Sequence, residues 1–198
     1  MHNGFRRLTG IGLGLAAVVL GPGNAHADTV VPLPDGHQTV TTTIGIPVDL
    51  SRTGERAVIS PSLAPNGMSR TATVSATVYA TTPGATSGTL ETGYLVGCQV
   101  DLSGGLSLGG DVYVEPDSIS PELTPSINLV PGGVAKVAFD TKKLDPTQGK
   151  VGIQYLDRGI QVSGCGGYAQ ARAYSTLNVT NDHGTAEVTL YGQPFGIG

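Results

Sequence analysis

Residues 106–129 read "LSLGGDVYVEPDSISPELTPSINL". Apolar residues or glycine take every second position on the way in, at Leu106, Leu108, Gly110, Val112 and Val114. A turn-like Glu115-Pro116-Asp117-Ser118 follows, and the alternation resumes at Ile119, Pro121, Leu123, Pro125, Ile127 and Leu129. Successive side chains of a strand point to opposite faces, so this spacing describes a hairpin with one apolar and one polar face. Two strands cannot stand alone in water with such a face uncovered. That face must meet other protein or lipid.

Each arm holds roughly 10–12 residues; at about 3.3 Å per residue and a tilt near 40° it rises on the order of 25–30 Å, the height of a bilayer's apolar core. Lipid outside and water inside would impose this alternation on every strand of a barrel. A single hairpin still leaves two unpaired edges, which lipid does not tolerate. Several copies closing a barrel of roughly 16 strands would remove the edges and enclose an aqueous channel. Pro121 and Pro125 each take a donor out of the ladder, and Tyr113 is the one aromatic residue between 101 and 129.

The remainder of the chain sets the frame for that hairpin. Arg6 and Arg7, the apolar run Ile11–Leu20 and Ala25-His26-Ala27 have the order of a secretory signal peptide, residues 1–27, cut before Asp28. Residues 28–198 then form a single domain with the hairpin or stem at approximately 101–129. Without Arg6 and Arg7 they carry 9 basic and 15 acidic side chains, a formal net charge of −6. That balance, with no basic run, disfavours nucleic acid as a partner. Segments such as "RTATVSATVYATT", "GTLETGYLVGCQVDL" and "YAQARAYSTLNVT" alternate or are dense in β-branched residues, and Pro/Gly/Asn/Asp turns separate them. The expected fold is all-β, an antiparallel β-sandwich with a protruding hairpin that lends two strands to an oligomeric barrel.

The two cysteines, Cys98 and Cys165, are an even pair in an exported chain and favour a disulfide; the opposing possibility is two free thiols on separate strands. Gly105-Leu106-Ser107-Leu108-Gly109 matches the hydrolase pattern G-x-S-x-G, which works only on a strand-to-helix elbow beside a histidine. Here it lies inside an alternating run, and the histidines after residue 27 are His37 and His183. Glu115 and Asp117 as a glycosidase pair would need an aromatic-lined cleft, and the chain has no Trp. Neither an enzyme, a metal site nor a cofactor is expected.

"DGHQTVTTT" (35–43), "GTLETGYLVG" (88–97), "LVPGG" (129–133), "SGCGGYAQARAYS" (163–175) and "NDHGTAEVTLYGQPF" (181–195), in this order, resemble the MspA family of mycobacterial outer-membrane porins. The resemblance implies a goblet-shaped homo-octamer in the outer membrane of the cell envelope, with one hairpin per subunit in a 16-stranded stem. Its partners would be further copies of the chain, membrane lipid, and the small hydrophilic solutes or ions that pass. Glu115 and Asp117 fall where the family has its acidic constriction, with Asp111 and Glu122 facing the lumen, and a negative ring of this kind prefers cations. The alternative is a secreted or envelope-bound β-sandwich with a binding or structural role and no pore.

If Val112 faces lipid, Val112→Lys should cost about 2–4 kcal/mol of insertion near the bilayer midplane. Flotation of the variant with liposomes, compared with the parent, measures this, and an unchanged membrane fraction would remove Val112 from a lipid-facing row.

Overall fold

The structure, a computed structural model, describes residues 28–60, 69–100, 126–127 and 133–198, and every regular element in them is a strand. These are β1 (Thr29–Pro32), β2 (Gly36–Thr41), β3 (Pro47–Ser60), β4 (Arg70–Thr81), β5 (Ser87–Cys98), β6 (Ser126–Ile127), β7 (Val134–Lys143), β8 (Lys150–Val162), β9 (Ala169–Asn181), β10 (Gly184–Tyr191) and β11 (Phe195–Gly196). They form two sheets. The first runs β1-β3-β4-β8-β6, with β2 also on β3; the second runs β10-β9-β5-β7, with β11 also on β9. All pairs are antiparallel except β6 with β8. The all-β sandwich expected from the alternation is therefore the fold.

The inner faces follow the period-two rule. Leu90, Thr92, Tyr94, Val96 and Cys98 of β5 are buried, as are Ala169, Ala171, Ala173, Ser175, Leu177 and Val179 of β9. Small side chains on β9 leave space for four rings between the sheets: Tyr94, Phe139, Tyr155 and Phe195, with centroids 5.3–6.3 Å apart. Such tilted and edge-to-face pairs add a modest attraction to the area they bury. Burial pushes the Tyr155 phenol up to about 12.

Halfway along the sandwich the alternation changes phase. In β3 the inward residues are Val48, Leu50 and Arg52, then Glu55 and Ala57. Pairing with β4 shifts between Thr53 and Arg56, a bulge in which Gly54 has φ 64°. A bulge inserts an unpaired residue and bends the strand. It also divides β3 between partners, since β2 pairs with Pro47–Arg52 and β1 with Arg56–Ile59. β8 carries a matching bulge on the other side of β4, where pairing skips from Tyr155 to Arg158 and Asp157 has φ 48°. Ser75 of β4 holds the two together: its hydroxyl donates to Asp157 Oδ1 at 3.2 Å and accepts from the Asp157 N–H at 2.9 Å, while Arg56 Nη2 reaches the same carboxylate at 3.1 Å.

The β3 bulge turns a charged pair into the core. Arg52 Nε donates to Glu55 Oε2, both side chains being 1 % exposed or less, and the Tyr94 hydroxyl of the opposite sheet donates to Glu55 Oε1 at 3.0 Å. Burial pushes the Glu55 carboxyl up, and Arg52 and Tyr94 pull it back. The guanidinium fits because two neighbours lack side chains. A Cβ on Gly192 would lie 2.9 Å from Arg52 Nη2 and 3.1 Å from Glu55 Oε2, and one on Gly36 would lie 3.2 Å from Nη2.

Breaking this pair from one side strands a buried charge, whereas replacing it whole does not. Glu55→Gln should lower stability by about 3–5 kcal/mol, and the triple replacement Arg52→Met, Glu55→Met, Tyr94→Phe by clearly less. Urea midpoints at neutral pH make the comparison. A single variant no weaker than the triple would contradict it.

Candidate functional site

Glu115, Asp117, Asp111 and Glu122 lie outside the described residues, as does the hairpin from Asp101 to Pro125. What the structure does place is the root from which that segment leaves the sandwich. β5 ends at Cys98 and β7 begins at Val134. These two strands are antiparallel neighbours, with Gly97 directly opposite Val134. Chain departure and return therefore occur side by side on one sheet, the arrangement that a long hairpin inserted between paired strands requires. Ser126 and Ile127, which the alternation assigns to the returning arm, pair in parallel with Gln161 and Val162 of β8 in the other sheet.

The root is firmly tied. Cys98 and Cys165 form the disulfide, with Cα atoms 5.9 Å apart across a separation of 67 residues. Both are buried. It joins the end of β5 to the connection between β8 and β9, and so links the two sheets at the level where the chain exits. Backbone bonds flank it: Gln99 N donates to Tyr168 O and Gly166 N to Val100 O, each at 2.9 Å. Arg70 adds a bond from Nε to the carbonyl of Gly198 at 3.0 Å. The sequence supplied the cysteines but not this location, because nothing in their spacing says which sheets they connect.

Apolar side chains stand exposed around the same root. Val100, Val134 and Tyr168 are 41 %, 68 % and 53 % exposed. Beside them is an open hollow of about 710 Å³ on the outer face of the second sheet, bordered by Leu95, Gln99, Gln170, Arg172 and Pro194. Tyr168 packs against Gly196, where an added Cβ would lie 3.0 Å from its ring carbons. Singly exposed apolar residues are ordinary; a cluster at the base of an inserted segment marks a contact surface.

Further from the root the outer face is polar and internally paired. Lys136 Nζ lies 2.6 Å from Glu91 Oε1 and 4.7 Å from the Tyr174 ring centroid, and the Tyr174 hydroxyl donates to the same Glu91 oxygen at 2.9 Å. Burial, reinforced by that acceptor, pushes the Tyr174 phenol up. Arg172 stacks on Tyr191 at 4.7 Å and donates to the Gly192 carbonyl at 2.8 Å. This is a braced polar wall, with hydroxyls and charges already engaged by one another.

The MspA family model matches residues 45–196, from the turn before β3 to β11 and across the whole inserted segment. The chain belongs to the MspA family. No curated protein matches it. The family is a porin family, which gives the side-by-side exit of the inserted segment a functional context.

The disulfide should carry a substantial share of stability at the root. Reducing it, or replacing both residues by Cys98→Ser with Cys165→Ser, should cost about 3–4 kcal/mol for a loop of this length. Thermal melting with and without reductant tests this, and equal melting temperatures would show that the bond contributes nothing.

Proposed function

We propose that this chain is the protomer of a homo-oligomeric outer-membrane porin, a passive and cation-preferring route for small hydrophilic solutes. The single observation that carries the reading is the family match spanning a two-faced hairpin sequence inserted between adjacent antiparallel strands. In this reading the segment from 101 to about 125 lends two strands to a shared barrel. Its apolar row faces lipid, and Asp111 and Glu122 face water. Glu115 and Asp117 at the tip form the constriction, where copies related by rotation concentrate negative charge and draw in cations. The protein acts without catalysis and without a cofactor, after export by the peptide at residues 1–27.

One observation favours the alternative of an envelope-associated or secreted sandwich without a pore. Ser126 and Ile127 lie against β8 of the body, so the last part of the inserted segment is held by the subunit itself. The two readings agree if the membrane-crossing arms end before Ser126, and they part if the entire segment packs on the body.

Planar-bilayer recording on detergent-extracted full-length protein, with its native mass measured in parallel, separates them. Stepwise conductance from an oligomer is expected, and a monomer without conductance would sink the pore. Glu115→Gln combined with Asp117→Asn should move the reversal potential in asymmetric salt toward zero. An unchanged potential would take both residues out of the constriction.

A further inference from the structure

The sandwich has two lateral sides, and they differ. On one, β7 lies beside β8; on the other, β10 lies beside β2. Among the described residues β7 pairs only with β5, and β8 beyond β4 is met only by β6 at Gln161 and Val162. Lys150 is bridged to Asp145 of the preceding turn, and the outer edge of Val151–Ile160 has no partner strand among the described residues. On the opposite side β10 pairs only with β9, and β1 and β2 only with β3. Both sides present unpaired backbone donors and acceptors, the form in which a sheet accepts another chain.

The charges on the two sides are of opposite sign. Residues 133–160 carry five lysines and arginines against three aspartates. Residues 28–41 and 181–198 carry Asp28, Asp35, Asp182 and Glu187 and no lysine or arginine. Lysine on a sheet edge is a common guard against unwanted pairing. That explains the basic side taken alone, but not edge strands on the opposite side without a lysine or arginine, where Arg56 of the neighbouring β3 is already paired with Asp157.

The strand register adds position to sign. In the second sheet Glu187 of β10 is opposite Asn178 of β9, Asn178 opposite Thr89 of β5, and Thr89 opposite Lys143 of β7. Glu187 and Lys143 thus end one row of residues on one face, at the two edges of the sheet. In the first sheet Lys150 of β8 is opposite Thr81 of β4, which is opposite Asp49 of β3, next to Thr39 of the edge strand β2. Asp49 is half exposed, and its carboxylate reaches the edge strand, 3.1 Å from His37 Nε2 of β2. A copy displaced sideways by one sandwich width, without a shift along the strands, brings Glu187 toward Lys143 and Asp49 toward Lys150.

We propose that the β7/β8 side of one copy docks on the β10/β2 side of the next, with Lys143–Glu187 and Lys150–Asp49 as register-fixing pairs. This rests on the oligomeric part of the function proposed above and gives it an interface. The contact is head-to-tail, the type that closes into a ring when the rotation per copy allows. Self-pairing of either side would set like charges against each other, which opposes a two-fold dimer.

The test uses the full chain in detergent, with assembled and monomeric fractions read by native mass spectrometry. Lys143→Glu and Glu187→Lys should each weaken assembly by about tenfold or more, since attraction becomes repulsion in every contact of the ring. The double variant, Lys143→Glu with Glu187→Lys, should recover it, because each reversed edge again meets its opposite. Both positions are exposed, so melting temperatures should hold and report that folding is intact. A second measurement introduces Lys143→Cys with Glu187→Cys, expected to give a ladder of reducible multimers. A parent protein that stays monomeric, reversals without effect, a double variant no better than the singles, or a cross-linked product lacking multimers would each overturn the interface. An oligomer that depends on these residues yet conducts nothing would uphold the interface and remove the pore.

Discussion

The contact on which the sandwich turns is the buried carboxylate of Glu55, held by Arg52 from its own strand and by Tyr94 from the opposite sheet. Two adjacent inward positions of opposite charge cannot come from uninterrupted alternation, since residues three apart in a regular strand face opposite ways. The bulge with Gly54 corrects the phase and brings both side chains inside. The consequences spread in both directions. β3 must change partner from β2 to β1 at that level, and Gly36 and Gly192 must stay without side chains so that the guanidinium fits. Tyr94, fixed at its hydroxyl, then sets the positions of Phe139, Tyr155 and Phe195 around its ring. Among the described residues Arg52 Nη1 is buried without a hydrogen-bond partner, so the network is not maximally stabilising. What it supplies is a single way for the two sheets to face each other.

A body fixed in this way can support a segment that is not stable by itself. The disulfide joins the sheets at the end from which the inserted segment leaves, and the backbone bonds at Gln99 and Gly166 sit next to it. Any sideways load on the inserted segment is thereby passed to both sheets and not to β5 alone. The exposed Val100, Val134 and Tyr168 lie just outside this tied zone, where an apolar surface is of use only if another surface covers it.

Much of the fold was legible because β4, β5, β7 and β9 are strongly alternating or β-branched, and turn chemistry marks both the crossing between sheets at Thr82-Pro83-Gly84 and the β9–β10 hairpin at Asn181–Gly184. Legibility failed where the period broke. "SRTGER" within β3 carries no alternation to mark it as strand, and it is the bulge that buries Arg52 and Glu55. "KVGIQYL" and "IQVSGCGG", on either side of Asp157-Arg158-Gly159, read as two segments, yet β8 runs through with a bulge at Asp157. "QTVTTTIGIPVDL" reads as one segment and holds β2, a turn and the start of β3. β1 is short and pairs with residues of β3 lying 24 to 30 positions further along the chain, a long-range pairing that local pattern cannot express. The site divides in the same manner. Hairpin alternation and the cysteine pair are local signals, whereas the root, the hollow and the two charged sides exist only once the strands are ordered across the sheets.

Strand counting then links body to stem under the porin reading. Each body presents four strands across its second sheet, a width of about 19 Å at the usual strand spacing of about 4.8 Å. Each copy lends only two strands to the barrel, about 12 Å of circumference once a tilt near 40° is included. A ring whose bodies touch edge to edge must therefore be wider than the barrel beneath it by roughly half again, whatever the number of copies. In that reading the inserted arms would have to converge as they leave the root, and the exposed apolar side chains there would fall where neighbouring arms and lipid first crowd together. Under the proposed function, a funnel-shaped vessel would follow from the mismatch between four strands and two, with its narrowest passage at the far end, where the proposal puts Glu115 and Asp117.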